Sequence, residues 1–231
     1  MKIIVTGGLG YIGSNVCLEL LLKGHEICIL DNLCNSSLIV LDNLKFLSQK
    51  NIEFFNCDVR NINDLYNVID QFKPEGAYHF AGLKSVTDSL SNPLEYYDVN
   101  VTGTVNLLKA LTRVNAKAVV FSSSATLYGQ SASGVCFETD PTIPINPYGW
   151  TKLMSEQVLR DWVEADRSRR AICLRYFNPI GAHESGLLGE PVNGKQANLL
   201  PALIDVWLKR TGELAVFGGD YNTFDGTAER D

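Results

Sequence analysis

The first thirteen residues constrain the chain more than any other stretch. Ile3, Ile4 and Val5 form a short apolar, β-branched run, the composition of a strand buried on both faces. Gly8, Gly10 and Gly13 then satisfy G-x-G-x-x-G, and from Tyr11 onward apolar residues return at helical spacing. A bare glycine pattern is often only a turn; strand, glycines and helix in that order form a dinucleotide-binding fingerprint. Glycine permits the tight turn and a close backbone approach, and the amides at the helix N-terminus receive pyrophosphate charge. Gly7, Gly10, Tyr11, Ile12 and Gly13 are therefore candidate cofactor contacts.

The same alternation continues downstream. Asn15 to Leu22 carries a helical apolar stripe that ends near Gly24, and Glu26 to Leu30 reads as a second strand. Asp31 follows it, 18 residues past Gly13, where the fingerprint wants an acid for the ribose hydroxyls. The alternative is a surface acid ending a strand. No arginine stands beside Asp31 in sequence to neutralise a 2′-phosphate, so NAD is favoured over NADP. Ile52 to Asn56 is a third strand. Asp58 and Val59 at its end are candidate adenine contacts, with capping of the helix near Asn61 as the competing role for Asp58. Ile62 to Phe72 is that helix, and Gly76 to Phe80 a fourth strand. Ala81-Gly82-Leu83-Lys84 then lets a cofactor approach closely, with Lys84 in reach of a ribose or phosphate; His79 reads as a core residue.

Pro93 to Leu111 has the spacing of one long helix, Val119 to Phe121 is a fifth strand running into Ser122-Ser123-Ser124, Tyr148 to Ala165 is a second long helix, and Ala171 to Leu174 a sixth strand. Strands alternating with helices predict an α/β fold, a doubly wound parallel sheet over residues 1–176. After Phe177 the pattern changes to longer loops, a helix near Leu199 to Lys209 and a short strand at Leu214 to Phe217. Residues 177–231 read as the start of a smaller, incomplete substrate domain.

Net charge over the 231 residues is −6 with no basic run, which argues against nucleic acid or an anionic membrane surface as partner. No apolar stretch reaches membrane-spanning length, and no leader is read before the first strand. The six cysteines have no C-x-x-C spacing and several sit in apolar patterns, so buried reduced thiols in a cytoplasmic protein are expected, and no metal site.

Tyr148 and Lys152 stand four apart on one helix face. An ammonium beside a phenol favours the phenolate, so Lys152 is expected to lower the Tyr148 pKa. A tyrosine tuned in this way removes a proton from an alcohol while hydride leaves for a nicotinamide. Alone, the pair would be an exposed helix pair; the upstream fingerprint and the serine cluster favour catalysis. Ser124, furthest beyond the strand end, is the serine expected to hydrogen-bond the reacting oxygen.

With these residues assembled, the chain resembles the extended short-chain dehydrogenase/reductase family, and within it the UDP-glucose 4-epimerases. The resemblance rests on Thr6 to Gly13, Asp31 to Ser36, His79 to Lys84, Pro93 to Tyr97, Ser122 to Thr126, Tyr148 with Lys152, Arg175 to Pro179, Gly181 to His183 and Asp225 to Thr227. It covers essentially the whole chain. It implies a Rossmann-type domain holding NAD through the residues already named and through Asn32, Cys34, Asn35, Ser36, Phe80, Ala81, Gly82, Ser122, Tyr148, Lys152 and Phe177. It also implies a UDP-hexose substrate held by Ser124, Tyr148, Asn178, Asn198, Leu199, Phe217 and Arg230. Hydride would pass from C4 of the hexose to NAD and return to the other face of a 4-keto sugar. Without the family, Asn198 and Phe217 would read as a helix cap and a core residue. The two long helices resemble the family's four-helix dimer interface.

Two departures stand out. Val99 precedes Asn100 where some members carry a second asparagine, so no cofactor contact is expected there. The chain also ends at Asp231, where the family continues, so weak or absent turnover and uncovered apolar surface are expected. A sugar-nucleotide 4,6-dehydratase needs an acid–base pair where this chain has Ala125 and Thr126. A 4-epimerase of N-acetylated UDP-hexoses and a non-catalytic NAD-binding fragment remain the alternatives.

Overall fold

The computed structural model describes residues 1–129, 134–190, 199–216 and 218–228. Six strands, β1 (Lys2–Thr6), β2 (Glu26–Asp31), β3 (Glu53–Asn56), β4 (Gly76–His79), β5 (Ala118–Ser124) and β6 (Arg170–Tyr176), form one parallel sheet in the order β3-β2-β1-β4-β5-β6. β1 lies at the centre, with Ile3 opposite Ile27 on one side and Gly76 on the other. That position explains why its side chains are apolar at successive residues: both faces are covered. The strand order reverses between β1 and β4, and open sheets of this kind bind ligands at the carboxyl edge beside such a switch.

The helices that cover the sheet are α1 (Tyr11–Leu22), α2 (Leu38–Ser48), α3 (Ile62–Phe72), α6 (Gly103–Arg113) and α7 (Pro147–Glu164); α4 (Val86–Ser91) and α5 (Pro93–Tyr96) are short. One core cluster joins Ile4, Leu30 and Phe121 to Leu65, Ile69, Leu107, Leu111 and Leu159 of α3, α6 and α7. The other joins Ile3, Val5 and Ile29 to Cys17, Leu18, Leu21, Leu41 and Leu44 of α1 and α2. α1 and α2 cover the inner strands only; Ile172 on the edge strand β6 is exposed.

Several sequence expectations are corrected. α2 and α4 were not predicted, although Ser37 and Ser85 cap them by accepting from Ile39 and Asp88 amides. The predicted helix from Pro93 to Leu111 is interrupted by a π-helical segment, Tyr97–Thr102. The cause is local. The Asn100 carbonyl accepts from the Thr104 hydroxyl at 2.6 Å and the Ser155 hydroxyl at 3.2 Å, so side chains enter the ladder there. No strand forms over the described residues 214–216; the predicted strand's last residue, Phe217, lies outside the described residues. The predicted helix near Leu199 is α8 (Leu199–Trp207). His79 is buried, bonded to the Thr6 hydroxyl at 2.6 Å and the Thr104 hydroxyl at 3.0 Å. Burial pushes its pKa down to about 3, so it stays neutral.

Candidate active site

The glycine turn follows β1 directly. Gly7 sits at φ +66°, and a Cβ there would meet the Ala81 nitrogen at 2.6 Å. A Cβ on Gly13 would lie 2.2 Å from the Gly7 carbonyl oxygen, so α1 approaches the turn only because residue 13 is glycine. The fingerprint spacing names Gly8, Gly10 and Gly13, yet the left-handed position is Gly7. α1 begins at the N-cap Gly10 with no side-chain cap and no acid in its first turn. Its first-turn amides therefore face the carboxyl edge of the sheet without a capping side chain, the arrangement that receives phosphate. Ile12 lies in this first turn, and the Tyr11 hydroxyl donates to the Gly181 carbonyl at 2.7 Å.

Asp31 ends β2 beside this turn, and its buried carboxylate accepts from the Leu9 amide at 3.0 Å, the Leu33 amide at 3.0 Å and the Ser36 hydroxyl at 2.8 Å. It shapes the loop that carries Asn32, Cys34, Asn35 and Ser36 beside the glycines. Cys34 is exposed, whereas Cys17, Cys28 and Cys57 are buried. Asp58 does not cap α3: Asn61 does, accepting from the Asn63 and Asp64 amides. Instead the Arg60 guanidinium holds the Asp58 carboxyl well below the usual carboxylate range, at 3.0 Å and 2.8 Å, and Asn32 adds a bond of 2.9 Å. The fold thus brings an arginine near Asn32 that linear sequence kept apart. Its charge is taken up by Asp58 and by Glu95 at 2.7 Å. Val59 is buried, and a Cβ on Gly103 would meet it at 2.5 Å.

β4 delivers Phe80, Ala81, Gly82 and Lys84 to the same edge. Phe80 is partly buried against Tyr78, and Lys84 pairs with Glu190 at 2.7 Å. Gly82 is where two halves of the site meet. A Cβ there would fall 2.9 Å from the Asn100 amide oxygen and 3.6 Å from the Lys152 Nζ. Asn100 accepts from the Leu83 amide at 2.8 Å and donates to the Thr151 hydroxyl at 2.9 Å, tying the β4 loop to α7. Sequence reading assigned Asn100 nothing, because the π-helical segment that turns it inward leaves no periodic signal.

α7 starts where its residues dictate. The Asn146 side chain accepts from the Gly149 amide at 2.8 Å and Pro147 fills the first helical position. This start puts Tyr148, Lys152 and Glu156 on one buried face, against the end of β5. Lys152 Nζ donates to the Ser122 carbonyl at 2.8 Å and lies 4.9 Å from the Phe121 ring centre and 5.8 Å from that of Tyr148. Tyr148 meets Tyr96 edge-on at 6.4 Å, and the Ser124 side chain acts on its phenol. Ser124 also accepts from the Thr126 amide at 3.2 Å.

The electrostatics differ from the simple expectation for a lysine beside a phenol. Burial raises the Tyr148 pKa above its ordinary value, and the Ser124 hydrogen bond lowers it in part. Burial also brings Lys152 down to about 8. Desolvation penalises the charged form of each group and outweighs their mutual help at this separation. Ser123 points elsewhere, donating to Glu156 at 2.5 Å.

Phe177 and Asn178 leave β6 at the same edge and are exposed, while Leu199 opens α8, also exposed and outside both core clusters. Asn198, Phe217 and Arg230 lie outside the described residues. Among the described residues no group of three or more His, Cys, Asp or Glu side chains is arranged to hold a metal, and no helix is long and apolar enough to cross a membrane.

The comparisons with known proteins agree with this arrangement. The UDP-glucose 4-epimerase of Bacillus subtilis is 47% identical over 231 residues, covering 100% of this chain and 68% of the relative. The bifunctional protein gal10 of Schizosaccharomyces pombe is 47% identical over 99% of this chain, which spans 33% of its length. The crystal structure of UDP-glucose 4-epimerase from Bifidobacterium longum in complex with NAD+ and UDP superposes with a TM-score of 0.95 at 43% identity, covering 100% of this chain and 69% of that one. The NAD dependent epimerase/dehydratase family matches residues 3–231, and the chain belongs to that family.

Proposed function

We propose that this chain carries the cofactor-binding and proton-transfer part of a UDP-glucose 4-epimerase, which interconverts UDP-galactose and UDP-glucose. The observation that carries the reading is the buried Ser124–Tyr148–Lys152 group, set at the same sheet edge as the uncapped N-terminus of α1. The residues fit NAD: uncapped amides in the first turn of α1, a glycine turn with no room for a Cβ at Gly7, and an acid, Asp31, at the end of β2. When bound, NAD accepts hydride from C4 of the hexose and gives it back to the opposite face of the 4-keto sugar.

The residues of the chain do the rest. Tyr148 takes the C4 hydroxyl proton and later returns it, and Ser124 holds the Tyr148 oxygen and the reacting oxygen in line. Lys152 supplies positive charge behind the phenol as it ionises and orients the nicotinamide ribose. Gly7, Gly10, Tyr11, Ile12 and Gly13 bind the pyrophosphate, and Asp31 with Asn32, Cys34, Asn35 and Ser36 the adenosine ribose side. Asp58 and Val59 flank the adenine. Phe80, Ala81, Gly82, Lys84, Ser122 and Phe177 line the remainder. Asn178, Asn198, Leu199, Phe217 and Arg230 hold the UDP-hexose, Arg230 by pairing with phosphate oxygens.

Residues 1–176 form the NAD-binding domain in this reading and 177–231 the first part of the sugar-nucleotide domain. Two copies pair through the helices around 93–111 and 148–165, where Trp150 and Met154 are exposed. The protein works in the cytoplasm, where its thiols stay reduced.

The test is interconversion of UDP-galactose and UDP-glucose by the purified chain without added NAD. The chain spans about two thirds of the epimerases it matches, so slow turnover is expected, abolished by Tyr148→Phe. Copurified NAD without turnover reduces the reading to a cofactor-binding fragment; absence of both NAD and turnover overturns it.

A further inference from the structure

Behind the candidate site lies an ion pair with no role in the scheme above. Glu156, on the same face of α7 as Tyr148 and Lys152 but two turns beyond the tyrosine, is almost fully buried. Its two oxygens receive Arg175 of β6 as a fork, Nε at 3.0 Å and Nη2 at 2.8 Å, and Oε1 also accepts from the Ser123 hydroxyl at 2.5 Å. Arg175 extends the connection. Its Nη1 donates to the Tyr128 hydroxyl at 2.8 Å and the Glu138 carbonyl at 3.3 Å, and the guanidinium lies 5.0 Å from the Tyr128 ring centre.

The two groups held this way bracket Ser124. Ser123 precedes it on β5, and Tyr128 closes the single 3-10 turn, Ala125–Tyr128, that Ser124 caps. The strand turns into the 3-10 segment here, and Ser124 accepts from the Thr126 amide at 3.2 Å and contacts its hydroxyl at 3.0 Å. A buried ion pair is a costly way to fill a core, since apolar side chains of similar volume stabilise at least as well. Apolar side chains cannot hydrogen-bond Ser123 on one side of the bend and Tyr128 on the other.

We infer that Glu156 and Arg175 form a positioning clamp that fixes Ser124 in its orientation toward Tyr148. They are positioning residues, acting through Ser123 and Tyr128 and touching neither substrate nor cofactor. The inference rests on the reading of Tyr148 as the proton-transfer group, but its test does not depend on turnover.

The groups facing Tyr148 are Lys152 on its own helix, Tyr96 from α5 and Ser124 from β5. The experiment is a titration of Tyr148 in the intact chain, followed by NMR of isotope-labelled tyrosine and assigned by the signal lost in Tyr148→Phe. The variants are Glu156→Gln, Glu156→Asp and Arg175→Lys. The sign separates the two explanations. Removing the Glu156 charge by itself favours a nearby phenolate and moves the titration to lower pH. Releasing Ser124 withdraws a hydrogen bond that stabilises the phenolate, moving the titration higher, by about half a pH unit or more. The clamp predicts an upward move in Glu156→Asp and Arg175→Lys, which keep the charges, and a net upward move in Glu156→Gln. A titration unchanged in Asp and Lys, or lowered in Gln, overturns it. Should Glu156→Asp not fold, the isosteric Glu156→Gln and the charge-preserving Arg175→Lys decide by the same signs. Failure of the epimerase reading would appear separately, as turnover indifferent to Tyr148→Phe.

Discussion

α7 buries Tyr148, Thr151, Lys152, Ser155 and Glu156 beside Leu159 and Trp162, whereas α8, composed almost wholly of apolar residues, buries only Pro201 and Asp205. Leu199 is 61% and Trp207 80% exposed. Composition alone would assign the two helices the opposite way. What separates them is what each packs against. α7 lies against β5, β6 and α6 with a partner for every polar group it buries: Ser155 bonds the Asn100 and Thr151 carbonyls, and Trp162 donates to Thr112. α8 offers apolar area that the described residues do not cover. The comparison teaches that polar groups are buried here where each finds a partner, and that exposure of apolar ones marks an unmet surface.

The largest effect should come from the packed helix. Leu159→Ala removes a side chain that is 1% exposed, and urea denaturation should register a loss of about 2–5 kcal/mol. A loss below about 1 kcal/mol would mean α7 is not tightly packed. Next comes Lys152. Its folded pKa of about 8 lies below the ordinary 10.5, so between those values the unfolded chain binds more protons. Stability therefore rises as pH climbs from about 8 to 10.5, and below 8 the full penalty, roughly 3 kcal/mol, is in force. Lys152→Met should stabilise the chain at neutral pH and erase that rise in urea titrations, while removing turnover. A Lys152→Met chain with the parent's pH dependence would assign the rise to another group.

A smaller change is expected at the helix start. Asn146→Ala leaves the Gly149 amide without its cap and should cost about 1 kcal/mol, read from the thermal midpoint. The smallest belongs to α8: Trp207→Ala should alter stability by no more than about 0.5 kcal/mol, yet reduce binding of a hydrophobic dye. A Trp207 substitution as costly as Leu159→Ala would erase the contrast between the two helices.

Much of the scaffold is legible in the sequence. β1, the glycine turn and α1 announce themselves because a strand covered on both faces must be apolar and a backbone that approaches a phosphate needs glycine. α3 matches its predicted bounds, Ile62 to Phe72, because its apolar stripe is strongly periodic. Tyr148 and Lys152 were readable as one face from their spacing, and Glu156, one turn further on, could have been read by the same rule. Its partner Arg175 could not, since β6 joins α7 only in the folded chain.

What sequence determined by itself was the alternation of elements, the glycine turn and the placing of Tyr148 and Lys152 on one helix face, all set by local spacing and backbone sterics. Tertiary structure alone decided three other things. It brought the Asp58–Arg60 pair to Asn32, because β2 and β3 are neighbours in the sheet, and spent the remaining arginine charge on Glu95. It turned Asn100 inward by a π-helical segment that depends on Thr104 and Ser155. And it set the ionisation of Tyr148 and Lys152, where desolvation prevails over charge proximity. Desolvation is a sum over everything packed around a group, and no local pattern contains that sum.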